Sequence, residues 1–235
     1  MKNTKYLILG FTLFALLHGC NESKKKGVTV QTDKEGFVIL SDDEVENMVK
    51  RSYQYVAMYN VNNKFAIKQG GWNTLQSDTK LKDHTMREIA RPNNDSFYAT
   101  ALLDLTNEPV IMYLPAFDSK YVSLMVTAYD HYVDVPKATR NGDFKEPEKI
   151  LFYSDSTEGY AGEEVPGVDI IYKTTGDFVS AVLRIMPHAS DQERFERIVE
   201  TIGTIKIQTL SEFKGDEPKV AKEITFPEVG KTDLD

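Results

Sequence analysis

The chain has 235 residues, of which 41% are hydrophobic, and its formal net charge is −8. A chain of this length can bury one sizeable core, and its apolar content is ordinary. The acidic balance argues against nucleic acid as a partner, because phosphate binding requires clustered lysine and arginine. Cys20 is the only cysteine, so the sequence excludes an intramolecular disulfide and a thiolate site in the folded domain.

The N-terminus has the pattern of a secretory signal peptide. Lys2 and Lys5 precede an apolar run from Tyr6 to Leu17, which is shorter than the about 20 apolar residues of a transmembrane helix. The segment Leu17-His18-Gly19-Cys20 resembles the lipobox of bacterial lipoproteins. That resemblance implies cleavage before Cys20 and a lipid on its thiol. We therefore expect a cell-envelope protein that is anchored to a membrane by this lipid; an uncleaved anchor helix is the alternative.

Composition predicts four segments along the chain. Residues 1–19 form the signal peptide, and the polar residues 20–36 form a lipidated, flexible stalk. Residues 37–213 form a single globular domain, and residues 214–235 form a charged tail. Loss of Lys2 and Lys5 with the signal would lower the formal charge by two, to −10. The predicted domain is therefore acidic.

Two helices are predicted from their capping residues. Ser41-Asp42-Asp43-Glu44 forms a capping box, and apolar residues follow at helical spacing as far as Tyr59. Ser190-Asp191-Gln192-Glu193 caps a second helix, whose apolar stripe of Phe195, Ile198, Val199 and Ile202 ends at Gly203.

The residues between these helices predict about seven short strands. Ser96–Leu105 and Val110–Leu114 are joined by the turn Thr106–Pro109 and predict a hairpin. The other predicted strands are Tyr121–Tyr129, His131–Val135, Ile150–Tyr153, Val168–Tyr172 and Phe178–Met186, and Ile205 with Ile207 predicts an edge strand. The expected fold class is α+β and mostly β: a β-sandwich or jelly-roll-like domain with an N-terminal helix and a helix near the C-terminal end.

One stretch resembles a known family. The segment Arg91-Pro92-Asn93-Asn94-Asp95-Ser96-Phe97-Tyr98, followed by the apolar strand Ala101–Leu105, is similar to the signature of domain of unknown function 1254. Weaker matches follow in the same order over roughly Trp72 to Phe213. The resemblance implies a β-rich, sandwich-like domain and no assigned reaction. Many relatives append a domain of unknown function 1214, which we expect this chain to lack.

The segment around Arg91 is the leading candidate for a ligand site. Asn94, Asp95 and Tyr98 would line a pocket, with Arg91 or Arg140 facing an anionic group. The alternative is a structural turn whose side chains cap their own backbone. Tyr121, Tyr129 and Tyr132 would line a groove for sugar or an apolar ligand, or else pack in the core. The predicted ligand-binding set is Arg91, Asn94, Asp95, Tyr98, Tyr129, Asp130, Arg140 and Arg184.

A hydrolase is the rival hypothesis. Asp95, Ser96 and His131 are its candidate catalytic residues, although Asp130 cannot easily orient its strand neighbour His131 and no Gly-x-Ser-x-Gly elbow exists. His84, His131 and His188 lack the spacing of metal ligands, so no metal site and no cofactor are expected. The leading hypothesis is a lipid-anchored protein that binds a small-molecule or glycan ligand. A structural envelope protein is the third reading.

Overall fold

The computed structural model describes residues 31–86, 93–217 and 219. The predicted signal peptide, the lipidation residue Cys20, the ligand candidate Arg91 and most of the predicted stalk and tail lie outside the described residues. The chain divides into two compact units, residues 1–48 and residues 49–235. In the first unit, Thr32 and Val38 form an isolated antiparallel bridge.

Three α-helices are described, and their caps match their sequences. Helix α1 (Asp42–Gln69) begins at the predicted capping box, where the Ser41 N–H donates to Glu44 Oε2 over 2.8 Å. Helix α2 (Gln192–Ile202) is capped by Asp191 and ends at Gly203, as its apolar stripe predicted. A short helix α3 (Leu210–Lys214) has its own capping box, formed by Thr209 and Glu212.

The described residues form two sheets. Five strands pair in the order β1-β2-β8-β4-β5 and four pair in the order β7-β6-β3-β9. All pairs are antiparallel except β6 with β7. The strands are β1 (Thr74–Asp78), β2 (Phe97–Asp104), β3 (Val110–Leu114), β4 (Val122–Ala128), β5 (Val133–Ala138), β6 (Glu148–Tyr153), β7 (Ile170–Lys173), β8 (Phe178–Ile185) and β9 (Lys206–Thr209).

The core lies between the two sheets. Strand β4 alternates as predicted, because Val122, Leu124, Val126 and Ala128 all belong to the buried apolar cluster. Alternate residues of β2 and β8 join the same cluster from the five-stranded sheet, and Val110, Met112, Ile150 and Phe152 join it from the four-stranded sheet. The mostly β fold with an N-terminal helix and a helix near the C-terminal end is confirmed, and the shared core makes it sandwich-like.

The predicted hairpin is wrong. Strand β2 pairs with β1 and β8, whereas β3 pairs with β6 and β9 in the other sheet. The turn from Thr106 to Pro109 therefore carries the chain across the core from one sheet to the other. A sandwich connection of this kind has the same turn residues as a hairpin, so local sequence does not separate the two. The edge strand predicted at Ile205 and Ile207 is confirmed as β9.

Candidate functional site

The face of the five-stranded sheet that points away from the core carries a mixed set of side chains. Strand β2 presents Tyr98, Thr100 and Leu102 there, and β8 presents their register partners Arg184, Val182 and Ser180. These positions alternate with core residues, so the strand period directs them outward. Leu102 and Ser180 are nevertheless buried, which shows that another element covers this face.

The second half of helix α1 lies over this face. The Tyr129 ring, just past the end of β4, packs edge-on against Tyr55 and Tyr59 of α1, with centroids 5.4 and 5.6 Å away. Asn63 Nδ2 donates to the Tyr59 carbonyl over 2.8 Å and to the Tyr129 hydroxyl over 3.4 Å. Burial raises the pKa of Tyr129 above its ordinary value. Tyr129 therefore acts as a packing residue that fixes the helix on the sheet.

A cavity of about 690 Å³ lies between α1 and the sheet. Its volume is within the range of small-molecule sites in proteins. One face of α1 forms a wall, since Met58, Asn62, Phe65 and Gln69 recur at helical spacing. The other described lining residues are Val61, Lys68, Gln76, Asp78, Lys82, Thr85, Met86, Asn93, Tyr98, Thr100, Leu102, Ser180, Val182 and Arg184.

In the described part of the cavity wall, two buried polar atoms have no hydrogen-bond partner. They are Nδ2 of Asn62 and Oε1 of Gln69, both on α1. Asn62 is only 4% exposed to solvent. An unsatisfied buried amide costs about 1–3 kcal/mol and is uncommon in folded proteins. Both atoms belong to residues that line the cavity, so a rotation of either side chain would offer a donor or an acceptor to a bound polar group.

The charged side chains of the described cavity wall differ in whether they form an ion pair. Asp78 and Lys82 form an ion pair. Burial raises the pKa of Asp78, but hydrogen bonds from Lys82 and from the Lys80 N–H, together with the charges of both lysines, outweigh that effect and lower it. Among the residues that the structure describes, no carboxylate forms an ion pair with Arg184. Its guanidinium carbon instead lies 5.9 Å from the centroid of the Tyr98 ring. In the described part of the cavity wall, Arg184 is therefore the cation whose charge is not balanced by an ion pair.

The structure brings together only part of the predicted ligand-binding set. Tyr98 and Arg184 lie side by side in the cavity wall. Asn94, Asp95, Asp130 and Arg140 are exposed and are not among its described lining residues. Tyr129 is buried among other rings, and Arg91 lies outside the described residues. A ligand role for each of these residues stays a prediction.

The candidate catalytic residues make separate contacts. Ser96 Oγ donates to Asp95 Oδ1 over 3.1 Å, whereas His131 Nε2 lies 2.9 Å from the carbonyl oxygen of Gln54 on α1. Within the described part of the chain, no hydrogen bond joins Ser96 to His131. The hydrolase hypothesis stays a prediction, and the described hydrogen bonds supply no support for it.

Sequence reasoning did not identify Asn62, Gln69 and Val182 as site residues. Val182 reads as an ordinary strand residue, and its place in the cavity depends on the register with β2. The two amides carry a weak signal, because polar residues interrupt the apolar face of α1 at Asn62 and Gln69. That signal could have been used only if α1 had been predicted to continue past Tyr59.

The family is decided by a match over residues 72–208, more than half of the chain, to the family described as "Protein of unknown function (DUF1254)". The chain belongs to this family. The match spans all nine strands except the last residue of β9, and it includes the cavity-lining strands β1, β2 and β8.

Two solved structures are similar to the chain. The VPA0106 protein from Vibrio parahaemolyticus is 22% identical, with a TM-score of 0.61 over 80% of this chain and 44% of that one. A putative uncharacterized protein from Burkholderia cenocepacia is 11% identical, with a TM-score of 0.39 over 78% of this chain and 47% of that one. The chain thus spans less than half the length of either protein. No curated protein matches the chain.

The Vibrio parahaemolyticus structure supports the fold alone, because the identity is low. Two further observations concern only the described residues. No group of three His, Cys, Asp or Glu side chains is placed to hold a metal ion there. No helix among them is both long enough and apolar enough to span a membrane.

Proposed function

We propose that this protein is a lipid-anchored cell-envelope protein that binds a small ligand in the cavity between α1 and the five-stranded sheet. The observation that carries the proposal is the pair of unsatisfied buried amide atoms, Asn62 Nδ2 and Gln69 Oε1, in a cavity of about 690 Å³. Natural proteins rarely leave such atoms unpaired in a packed wall. A bound polar group would satisfy them.

The shape of the cavity favours a small ligand over an extended glycan chain. Most of its walls are side chains packed between a helix and a sheet, and Met58, Phe65, Leu102 and Val182 supply apolar surface. Pockets with mostly apolar walls and a few polar groups are typical of small-molecule sites. The apolar walls would contribute affinity, and the amides would orient the ligand.

The placement in the cell envelope rests on the sequence. Lys2 and Lys5, the short apolar run and the segment from Leu17 to Cys20 support export and lipidation. Stable anchoring requires more than one acyl chain, and a diacylglycerol thioether on Cys20 would supply two.

The cavity is tested by filling it. The full chain is placed in lipid nanodiscs and titrated with N-phenylnaphthylamine, a neutral probe whose fluorescence rises on apolar burial. Val182→Trp puts an indole into the cavity wall and should abolish the protein-dependent signal. Met125→Trp is the matched control, because Met125 pairs with Val182 in register but is 36% exposed and outside the described cavity lining. This variant should retain the signal.

Two results would refute a ligand site at this place. One is a probe signal that Val182→Trp leaves intact. The other is a signal that the two tryptophan variants reduce equally, because that would indicate a general effect of the substitution on the sheet. Thermal melting of both variants confirms that each is folded.

The anchor is tested separately by mass spectrometry of the native protein. The expected N-terminal peptide begins at Cys20 and carries the mass of a diacylglycerol and a further acyl chain. Cys20→Ala is the control and should remain unprocessed. An unmodified Cys20 thiol, or an intact leader in the native protein, would exclude lipid anchoring.

A further inference from the structure

We infer that the ligand of this cavity is a monocarboxylate with an apolar body, whose carboxylate binds the guanidinium of Arg184. This inference rests on the proposed binding function and names its ligand class. It starts from the charges that face the cavity, because these decide whether the ligand is neutral, cationic or anionic.

Among the described lining residues, Arg184 is the cation that is available for a ligand. Lys82 is paired with Asp78, and Lys68 is exposed and has an interaction of its own. Arg184 is partly buried and forms no ion pair within the described residues, although the whole chain carries an excess of acidic groups. A partly buried charge is costly unless a counter-charge or hydrogen bonds compensate it. An anionic ligand would supply that counter-charge.

The geometry favours a carboxylate among the anions. A guanidinium presents a planar fork that matches the two oxygens of a carboxylate. The guanidinium carbon of Arg184 lies 5.9 Å from the centroid of the Tyr98 ring, and this cation–π contact favours a fixed place for the guanidinium beside the ring. A phosphate would carry more charge than Arg184, the unpaired cation of the described lining, balances by itself, so a singly charged head group fits better.

The remaining walls specify the body of the ligand. Met58, Phe65, Leu102 and Val182 offer apolar surface, and the unsatisfied Asn62 Nδ2 is a donor for one polar atom. A cationic ligand would meet Arg184, and the carboxylate of the described cavity lining, that of Asp78, is already paired. An aliphatic and an aromatic body would both pack against these apolar walls, so the experiment tests a carboxylate of each kind.

The experiment is competition against N-phenylnaphthylamine on the full chain in nanodiscs. The aliphatic arm compares octanoate with octanamide, and the aromatic arm compares naphthoate with naphthamide. Each pair differs only in the charged head group. In at least one arm the carboxylate should displace the probe at about 10-fold or more lower concentration than its amide, the ratio expected for a hydrogen bond to a charged group. The arm that shows the preference identifies the body.

Arg184→Gln should remove the preference, so that each carboxylate and its amide displace the probe at similar concentrations. Arg184→Lys keeps the charge without the fork and should retain part of the preference. Arg140→Gln, a change at an exposed arginine outside the described cavity lining, should retain all of it. Circular dichroism melting checks that each variant is folded, and Arg184→Lys still tests the inference if Arg184→Gln unfolds.

The outcomes separate the two proposals. Suppose that Val182→Trp abolishes the probe signal but that, in the wild-type chain, each carboxylate and its amide displace the probe at equal concentrations. The cavity then binds ligands, and the inference about their charge is wrong. A carboxylate preference that survives in Arg184→Gln also overturns the inference. If none of the four compounds displaces a cavity-bound probe, the carboxylate class is excluded as well.

Discussion

The guanidinium carbon of Arg184 lies 5.9 Å from the centroid of the Tyr98 ring, and the two residues are register partners on strands β8 and β2. The Tyr98 hydroxyl accepts a hydrogen bond from the Asn93 N–H over 2.9 Å. The ring is thus held at both ends, by its strand and by its hydroxyl. Tyr98 is therefore a positioning residue for the guanidinium.

This relationship predicts different results for two substitutions of Tyr98. Tyr98→Leu removes the aromatic face and should weaken naphthoate binding by about 3- to 10-fold, the range expected for a lost cation–π contact. Tyr98→Phe keeps the face and should change binding by less than about twofold. The measurement is competition against N-phenylnaphthylamine. Equal losses in both variants would indicate that the hydroxyl, and not the ring, positions Arg184.

The adjacent residues Asn62 and Asn63 should respond in opposite ways to the same substitution. Both are buried, but Asn62 Nδ2 has no partner, whereas Asn63 Nδ2 donates to the Tyr59 carbonyl and the Tyr129 hydroxyl. Asn62→Leu should raise the free energy of unfolding by about 1 kcal/mol, because it removes an unsatisfied buried donor. Asn63→Leu should lower it by about 1–3 kcal/mol.

Urea unfolding of the unliganded chain measures both changes. A loss of stability in Asn62→Leu would show that the amide is satisfied in solution and would remove the main support for the cavity as a ligand site. Asn62→Leu should also weaken probe binding if the amide contacts the bound molecule.

Lys137, a buried lysine on the edge strand β5, should contribute more to the free energy of unfolding than the exposed Lys173. It is 6% exposed and pairs with Glu148 at 2.6 Å and Asp143 at 3.1 Å. Lys137→Ala should lower the free energy of unfolding by about 1–3 kcal/mol, because it leaves two carboxylates without their counter-charge. Lys173→Ala is the control, since its ion pair with Asp155 is exposed and should contribute about 0–1 kcal/mol.

The ion pairs of Lys137 with Glu148 and Asp143 predict a dependence of stability on pH. Burial lowers the pKa of Lys137, but the hydrogen bonds and charges of Glu148 and Asp143 outweigh it and raise the pKa above 10.5. A raised pKa means that the folded chain holds the proton more tightly, so this stabilisation is complete below 10.5 and is lost as the pH rises through the folded value. As the pH rises from neutral, the difference in stability between wild type and Lys137→Ala should therefore begin to narrow only at strongly alkaline values. A difference that narrows on acidification to neutral pH would contradict this assignment.

Tyr129 should carry much of the contact between α1 and the sheet. Tyr129→Ala removes a buried ring that touches Tyr55, Tyr59 and Phe178 and should cost about 3–5 kcal/mol. Tyr132→Ala, at a residue 69% exposed, should change stability by less than about 0.5 kcal/mol. Thermal or urea unfolding compares the two. A small effect at Tyr129 would indicate that other contacts fix the helix.

Sequence patterns predicted the elements better than their arrangement. The capping box of α1, the N-terminal cap of α2 and the alternation of β4 are local signals, and each is confirmed. Helix α1 was predicted only as far as Tyr59, because Asn60, Asn62 and Asn63 are weak helix formers. Tertiary contacts of the asparagines, such as the bond from Asn63 to Tyr129, compensate for that weakness. Strand β1 is short and polar, and it was not predicted.

The cavity could not be predicted for a related reason. Its walls combine α1 with strands β2 and β8, which are about eighty residues apart and become neighbours only through the sheet register. Tyr98 and Arg184 entered the predicted set through a resemblance to a family and not through any signal of their proximity. The unsatisfied amides are a property of packing, and no spacing in the sequence reveals them.

The two walls of the cavity are held in different ways. Strands β2 and β8 are joined by a full ladder of backbone hydrogen bonds, whereas in the described residues no backbone hydrogen bond connects α1 to the sheet strands. Side-chain contacts, chiefly those of Tyr129, and the short connection to β1 keep the helical wall in place. The proposed ligand would therefore exchange by a small displacement of the helix while every strand pairing is preserved, and amide hydrogen exchange should be faster in α1 than in β8.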